Sequence, residues 1–349
     1  MPRMMIVTFS TAINFGAFMQ ALATQRRLED VHGIEVVQLD PNPTRHYLRT
    51  AWKPSGMVGR LRARSFARDR RRVGMETVNL GPDGDVGAAL GGRRIDALFL
   101  GSDQVLNSRL LFGRDLSRSV LPPLADIPRF GLAMSTFRPE DLARVPPGCI
   151  EALGSFDALS FREDWLARDF RDRFGLSGSV LPDPSFLFTP DTLARNVATA
   201  GPNAGGGKGA VIAGYGLRRW AARMEHALDA GRTSFINFDW RDARAFGLAL
   251  GGPLGLLSRL IGAETVASNS FHFTALALIL DKTVLIPVGE GIDGGARMHQ
   301  LARRLEFQPH GDDAMISVPS RPRSDIVAGM RAELEAFIDS AVARTLGTG

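Results

Sequence analysis

Among 349 residues there is one cysteine, Cys149. A lone thiol can form no internal disulfide and no cysteine-based metal site, and it fits a reducing, cytoplasmic setting. An excess of one charge is also missing. Lys and Arg total 42 against 37 Asp and Glu, a net charge of +5. That balance argues against a nucleic-acid partner. The long apolar stretch after His272 is broken by Asp281 and Lys282, so it cannot span a bilayer. The apolar run at the N-terminus is too short for a signal peptide. His226, His272, His299 and His310 lack the paired spacing of a zinc site, and no metal is expected. A Gly-x-Ser-x-Gly elbow is absent, which argues against a serine hydrolase. The glycine-rich run from Ala200 to Gly209 fails as a phosphate loop. Pro202 stands five positions before Gly207, and Gly209 takes the place of the magnesium-binding hydroxyl.

What is present is a globular composition, 44% hydrophobic and 23% charged, on a length suited to two domains. Short apolar runs alternate with helical patterns. Met4 to Phe9 is a predicted strand. Phe15, Phe18, Met19 and Leu22 then mark one face of a helix that Gly33 stops. Further predicted strands lie at 34–39, 95–100, 130–134, 159–162, 210–213, 235–238, 265–267 and 284–287. Helices are expected at 218–230, 254–261, 272–280 and 298–305, with a last one capped by Ser324. Such alternation predicts parallel sheets with helices on both faces. The expected organisation is α/β: one Rossmann-like domain over 1–199, a linker at 200–209, and a second Rossmann-like domain over 210–323. The two should face a cleft, with 324–349 packing back on the first.

Three polar segments follow predicted strands, where α/β sheets bind ligands. Ser10-Thr-Ala-Ile-Asn-Phe-Gly16 places Asn14 and Gly16 at a helix start. Asn14 there is either a ligand contact or an ordinary cap. Gly101-Ser-Asp-Gln104 brings Ser102, Asp103 and Gln104 directly after an apolar strand; a plain turn explains them as well. Ser268-Asn-Ser-Phe-His272 gathers Ser268, Asn269, Ser270 and His272 at the mouth of an apolar helix. An imidazole can give or take a proton near neutral pH, and a helix N-terminus favours an anion. Arg162 ends another strand and could fork onto a carboxylate or phosphate, or pair with Glu163 or Asp164. Asp183 sits in a rigid Pro-Asp-Pro turn and is either structural or orients a partner. The dense run Arg60 to Arg72 reads as a solvated helix. Its alternative is peripheral contact with anionic lipid or a lipid-linked acceptor at the inner membrane face.

Taken in order, Asn14-Phe-Gly-Ala, Gly101-Ser-Asp-Gln-Val-Leu-Asn107, Ser160-Phe-Arg-Glu163, Asp183-Pro-Ser-Phe-Leu187 and Ser268-Asn-Ser-Phe-His272 resemble the polysaccharide pyruvyl transferase family. That family is similar to glycosyltransferases of the two-Rossmann-domain, GT-B type. The resemblance implies transfer of a pyruvyl group from phosphoenolpyruvate, as co-substrate, to two hydroxyls of a sugar or lipid-linked glycan. It implies no metal and no nucleotide cofactor. His272 matches the family's histidine and would be the general acid. Arg162 matches its strand-end arginine and would hold the donor, with Arg297 as a further cation. Two positions depart from the pattern. Phe273 stands where glycine usually follows the histidine, and its ring is expected to crowd the ligand. Leu106 replaces a tryptophan. Two other functions fit the same scaffold: a glycosyltransferase using a nucleotide sugar, and a non-catalytic glycan-binding protein.

Overall fold

A computed structural model describes residues 1–41, 60–80, 85–107, 126–136, 139–199, 209–228, 233–238, 252–287, 296–310, 314–317 and 323–347. The chain divides into two compact units. Unit 1 comprises Met1–Tyr47, Met75–Leu187 and Met330–Gly349; unit 2 comprises Leu48–Gly74 and Phe188–Gly329. This differs from a break at 199. Unit 2 begins at Phe188, and it also takes Leu48–Gly74 out of the N-terminal half. Of the expected linker, 200–208 lies outside the described residues.

Unit 1 is built on seven strands: β1 (Arg3–Val7), β2 (Glu35–Asp40), β3 (Thr77–Asn79), β4 (Ala97–Gly101), β5 (Arg129–Met134), β6 (Ala158–Phe161) and β7 (Ser179–Val180). Their order is β3-β2-β1-β4-β5-β6-β7, and every pairing is parallel. Strands buried on both faces need continuous apolar runs, and β1 and β4 supply them: Met4, Met5, Ile6, Val7, Leu98 and Phe99 are fully buried. The helix Phe15–His32 starts at Asn14, whose Oδ1 accepts from the Ala17 amide at 3.2 Å. It stops at Gly33, whose φ of 63° lies in the left-handed region that glycine enters at little cost. The end of the chain completes this unit. Arg27 pairs with Glu335 at 3.0 Å and Asp339 at 2.7 Å, while Leu334 and Ile338 are fully buried.

Unit 2 carries β8 (Ala210–Gly214), β9 (Thr233–Asn237), β10 (Thr265–Ser268), β11 (Thr283–Pro287), β12 (Phe307–His310) and β13 (Ala314–Ser317). The order is β12-β13-β11-β10-β8-β9. The four from β9 to β11 pair in parallel, and β13 and β12 add an antiparallel edge. The last helix, Arg323–Leu346, begins one residue before Ser324, so Ser324 lies inside it instead of capping it.

Each sheet has one place where the strand order reverses. In unit 1 it falls between β1 and β4, and in unit 2 between β8 and β10. Connections leave in opposite directions there, so the loops after those strands part and open a crevice beyond the carboxyl ends.

Candidate active site

The loops expected to carry function lie at these two reversals. In unit 1, Thr8 follows β1 and Ser102 follows β4; the Thr8 hydroxyl donates to the Ser102 carbonyl at 3.1 Å. Asp103 takes a left-handed backbone with φ of 69°, and its Oδ1 accepts from the Gln104 amide at 2.9 Å. Gln104 Oε1 accepts from Asn107 Nδ2 at 2.9 Å. The Asp103 carbonyl also accepts from the Ser135 amide at 3.1 Å, which ties this loop to the end of β5. Much of the polar density in 102–107 therefore shapes the loop itself. Ser102 Oγ is enclosed and makes no hydrogen bond. Asn14 is exposed and serves as the cap; Gly16 is buried in the helix it starts. Leu106, in the tryptophan's place, is buried in the core of unit 1.

Arg162 is not the open, ligand-facing arginine the sequence suggested. Its side chain is only 3% exposed and forms an ion pair with the fully buried Asp183 at 2.9 Å. Its Nη2 also donates to Gln20 Oε1 at 2.8 Å. The adjacent Glu163 accepts from the Ser135 hydroxyl at 2.7 Å. Asp183 Oδ1 accepts from the Ser185 amide at 2.8 Å, so the acid is held from both sides. The buried pair joins β6, the turn after β7 and the first helix.

Unit 2 presents a different arrangement. Ser268 ends β10, and its Oγ accepts from the Ser270 amide at 3.0 Å. Asn269 spends its amide on the loop after β8. Its Oδ1 accepts from the Tyr215 amide at 2.9 Å, and its Nδ2 donates to the Tyr215 carbonyl at 3.0 Å. That carbonyl also accepts from Trp220 Nε1 at 3.0 Å. Gly214 is required at this join, since a Cβ there would collide with the Asn269 amide and come within 2.8 Å of Trp220. The clamp ties the β8 and β10 loops together and leaves Tyr215 48% exposed. Ser270 is the N-cap of the helix Phe271–Ile279, and makes no side-chain cap bond. His272, second in that helix, is half-buried, with its ring edge-on to Phe271 at 5.4 Å. Phe273 does not crowd the site: its ring is fully buried, edge-to-face with Phe238 at 5.7 Å, and Phe238 in turn contacts Tyr215 at 5.6 Å. Arg297 lies in the first turn of the helix Ala296–Arg304.

The basic run was expected to be a solvated helix. Residues 60–72 are helical, but one face is buried in unit 2. Phe66 and Asp69 are 2% and 1% exposed. Asp69 Oδ2 accepts from the Leu254 amide at 3.2 Å and so caps the helix Pro253–Gly262. Arg68 and Arg72 flank the other oxygen at 3.2 and 3.6 Å. Arg60, Arg64 and Arg71 remain exposed.

The family model for polysaccharide pyruvyl transferase matches residues 14–286. The chain belongs to that family. Membership makes it a transferase acting on polysaccharide, and the match runs from the Asn14 cap through β11. A sequence search of curated proteins gives no significant match. Among solved structures, similar ones include UDP-GlcNAc 2-epimerase from Neisseria meningitidis, at 9% identity and a TM-score of 0.48, covering 99% of this chain and 94% of that one. The UDP-N-acetylglucosamine 2-epimerase from Rickettsia bellii gives 12% and 0.47 with 100% of both chains covered. E. coli heptosyltransferase WaaC gives 15% and 0.39, over 97% of this chain and 99% of that one. No described helix is long and apolar enough to cross a membrane. Among the described residues, no cluster of three or more His, Cys, Asp or Glu side chains could hold a metal ion.

Proposed function

We propose that this pyruvyl transferase family member uses phosphoenolpyruvate to form a cyclic ketal on two hydroxyls of a sugar or lipid-linked glycan. The observation that carries the reading is His272. It is a half-buried imidazole in the first turn of the helix leaving β10, at the strand-order reversal of unit 2. A proton donor is what this donor molecule needs. A first sugar hydroxyl adds to the enol carbon of phosphoenolpyruvate and gives up its proton, which restores the imidazole, while the terminal methylene takes a proton from His272 and becomes a methyl group. Phosphate then leaves with the electrons of its C–O bond. The second hydroxyl attacks the same carbon and loses its proton, closing the ketal.

The amides of the first helical turn and the positive helix end suit the departing phosphate. Arg162 contributes from inside unit 1 as a positioning residue, setting β6 and the Asp183 turn. Calorimetric titration of the wild-type protein tests the donor assignment. Saturable binding of phosphoenolpyruvate, with no binding of UDP-sugars, is the expected result. Binding of a UDP-sugar and not of phosphoenolpyruvate would make the protein a nucleotide-sugar transferase.

A further inference from the structure

The positive charge of this protein is concentrated in one helix. Of 42 basic and 37 acidic residues, helix 60–72 holds seven arginines and one acid, Asp69. With that helix set aside, 35 basic residues stand against 36 acidic ones, so the rest of the chain is close to neutral. At about 100° per residue, Arg60, Arg71, Arg64, Arg68 and Arg72 fall within about 120° of the helix circumference. All five are exposed. Ser65, Phe66, Asp69 and Arg70 lie on the remaining arc and are buried.

The buried arc holds the helix in unit 2, where Asp69 caps the helix Pro253–Gly262. Gly252 allows that approach, because a Cβ there would collide with the Asp69 carboxylate. The exposed arc works against the helix instead. Arg60, Arg64, Arg68 and Arg72 follow one another at i+4, the spacing at which like charges repel. The helix's one carboxylate has Arg68 at 3.2 Å and Arg72 at 3.6 Å and is itself buried. A solvated helix face ordinarily interleaves both signs. None of the exposed large hydrophobic residues lies on this helix, so a partner here is held by charge and not by insertion.

We infer that the exposed arc of helix 60–72 is a docking surface for a membrane bearing anionic lipid. Its guanidinium forks match the phosphates of the lipid heads. From Arg60 to Arg72 the row runs about 18 Å along the helix axis. A ridge of that length meets a planar anionic surface along its whole extent. A long polyanion strand would instead run off it onto the rest of a chain that is close to neutral. The choice of a membrane rests on the reading above in which the acceptor is a lipid-linked glycan. An acceptor carried on lipid is confined to a membrane, and docking brings the enzyme to it.

The test is co-sedimentation of the full chain with vesicles of phosphatidylcholine, alone or mixed with phosphatidylglycerol, in the absence of donor and acceptor. It compares wild type with a triple variant, Arg60→Ala, Arg64→Ala and Arg71→Ala. A control loses the same charge at exposed positions of unit 1: Arg94→Ala, Arg171→Ala and Arg173→Ala. Melting temperatures without vesicles establish that each protein is folded; with repulsion relieved, the helix variant should melt no lower than wild type. Wild type should bind the anionic vesicles and not the neutral ones, more weakly as salt rises. Each arginine at such a surface carries about fivefold in affinity, so the helix variant should bind about a hundredfold more weakly and the control far closer to wild type. No vesicle binding by wild type, equal binding to neutral and anionic vesicles, undiminished binding by the helix variant, or an equal loss in the control overturns the inference. Saturable binding of single-stranded DNA without vesicle binding overturns it in favour of a nucleic-acid partner. Phosphoenolpyruvate titration of the same proteins keeps the two readings apart: vesicle binding without phosphoenolpyruvate binding supports docking while the donor reading fails.

Discussion

Arg162 and Asp183 face each other almost wholly out of water, and the cost of separating them decides what a substitution there does. Removing one member of a buried pair leaves an uncompensated charge, at about 3–5 kcal/mol. Arg162→Ala and Asp183→Ala should each destabilise by about that amount in urea titration, and Arg162→Met with Asp183→Leu should cost clearly less than the sum. Full stability of Arg162→Ala with a loss of donor affinity would return Arg162 to the donor site. Both residues stand out in the sequence, one at a strand end and one in a Pro-Asp-Pro turn. Their pairing was not legible, because the adjacent Glu163 and Asp164 offer nearer acids and nothing local shows that β6 and β7 are neighbours. Asn269 and His272 were legible as a polar group at a helix mouth. That Asn269 serves the backbone depends on Tyr215, more than fifty positions away.

At the scale of elements, the join between helix 60–72 and the helix Pro253–Gly262 predicts opposite signs for two glycines of one segment. A methyl group on Gly255 would meet nothing within 4 Å, so Gly255→Ala should stabilise by about 0.5–1 kcal/mol through lower unfolded-state entropy. Gly252→Ala pushes Asp69 off the Leu254 amide and should cost at least about 1 kcal/mol. Thermal melts of the two variants check this; equal shifts would deny the Asp69 cap. Strands such as β1, β4 and β10 were legible from continuous apolar runs, and Gly33 and Gly175 from their place after apolar helical stripes. Short or mixed strands were not: β3 has three residues, and β12 reads Phe-Gln-Pro-His. Helix 60–72 was legible as a helix, but its arginines hid Phe66 and Asp69, the two residues that bury one face.

For the whole molecule, the sequence order and the spatial units part company. A fragment of 1–199 would carry 48–74, whose Phe66 is buried in unit 2, and would lack the Leu334 and Ile338 that fill unit 1. Fragments 1–199 and 200–349 should therefore each melt without a cooperative transition and recover one when mixed, followed by near-ultraviolet circular dichroism. Two independently cooperative fragments would contradict the division. The alternation of strands and helices told that two α/β units exist. It could not tell that a segment crosses from the first half to the second, since hydrophobic periodicity records which face is buried and not what buries it.

Pyruvyl transfer with His272 as the acid leaves products that can be weighed and counted. The direct measurement is mass spectrometry of glycan acceptors incubated with phosphoenolpyruvate, together with phosphate release, for wild type and His272→Ala. A pyruvyl ketal and equimolar phosphate are expected from wild type. A loss of about 10²–10⁴-fold is expected in His272→Ala, with phosphoenolpyruvate affinity and melting temperature kept. Undiminished ketal formation by His272→Ala, or glycosyl transfer from a nucleotide sugar without any ketal, would contradict it.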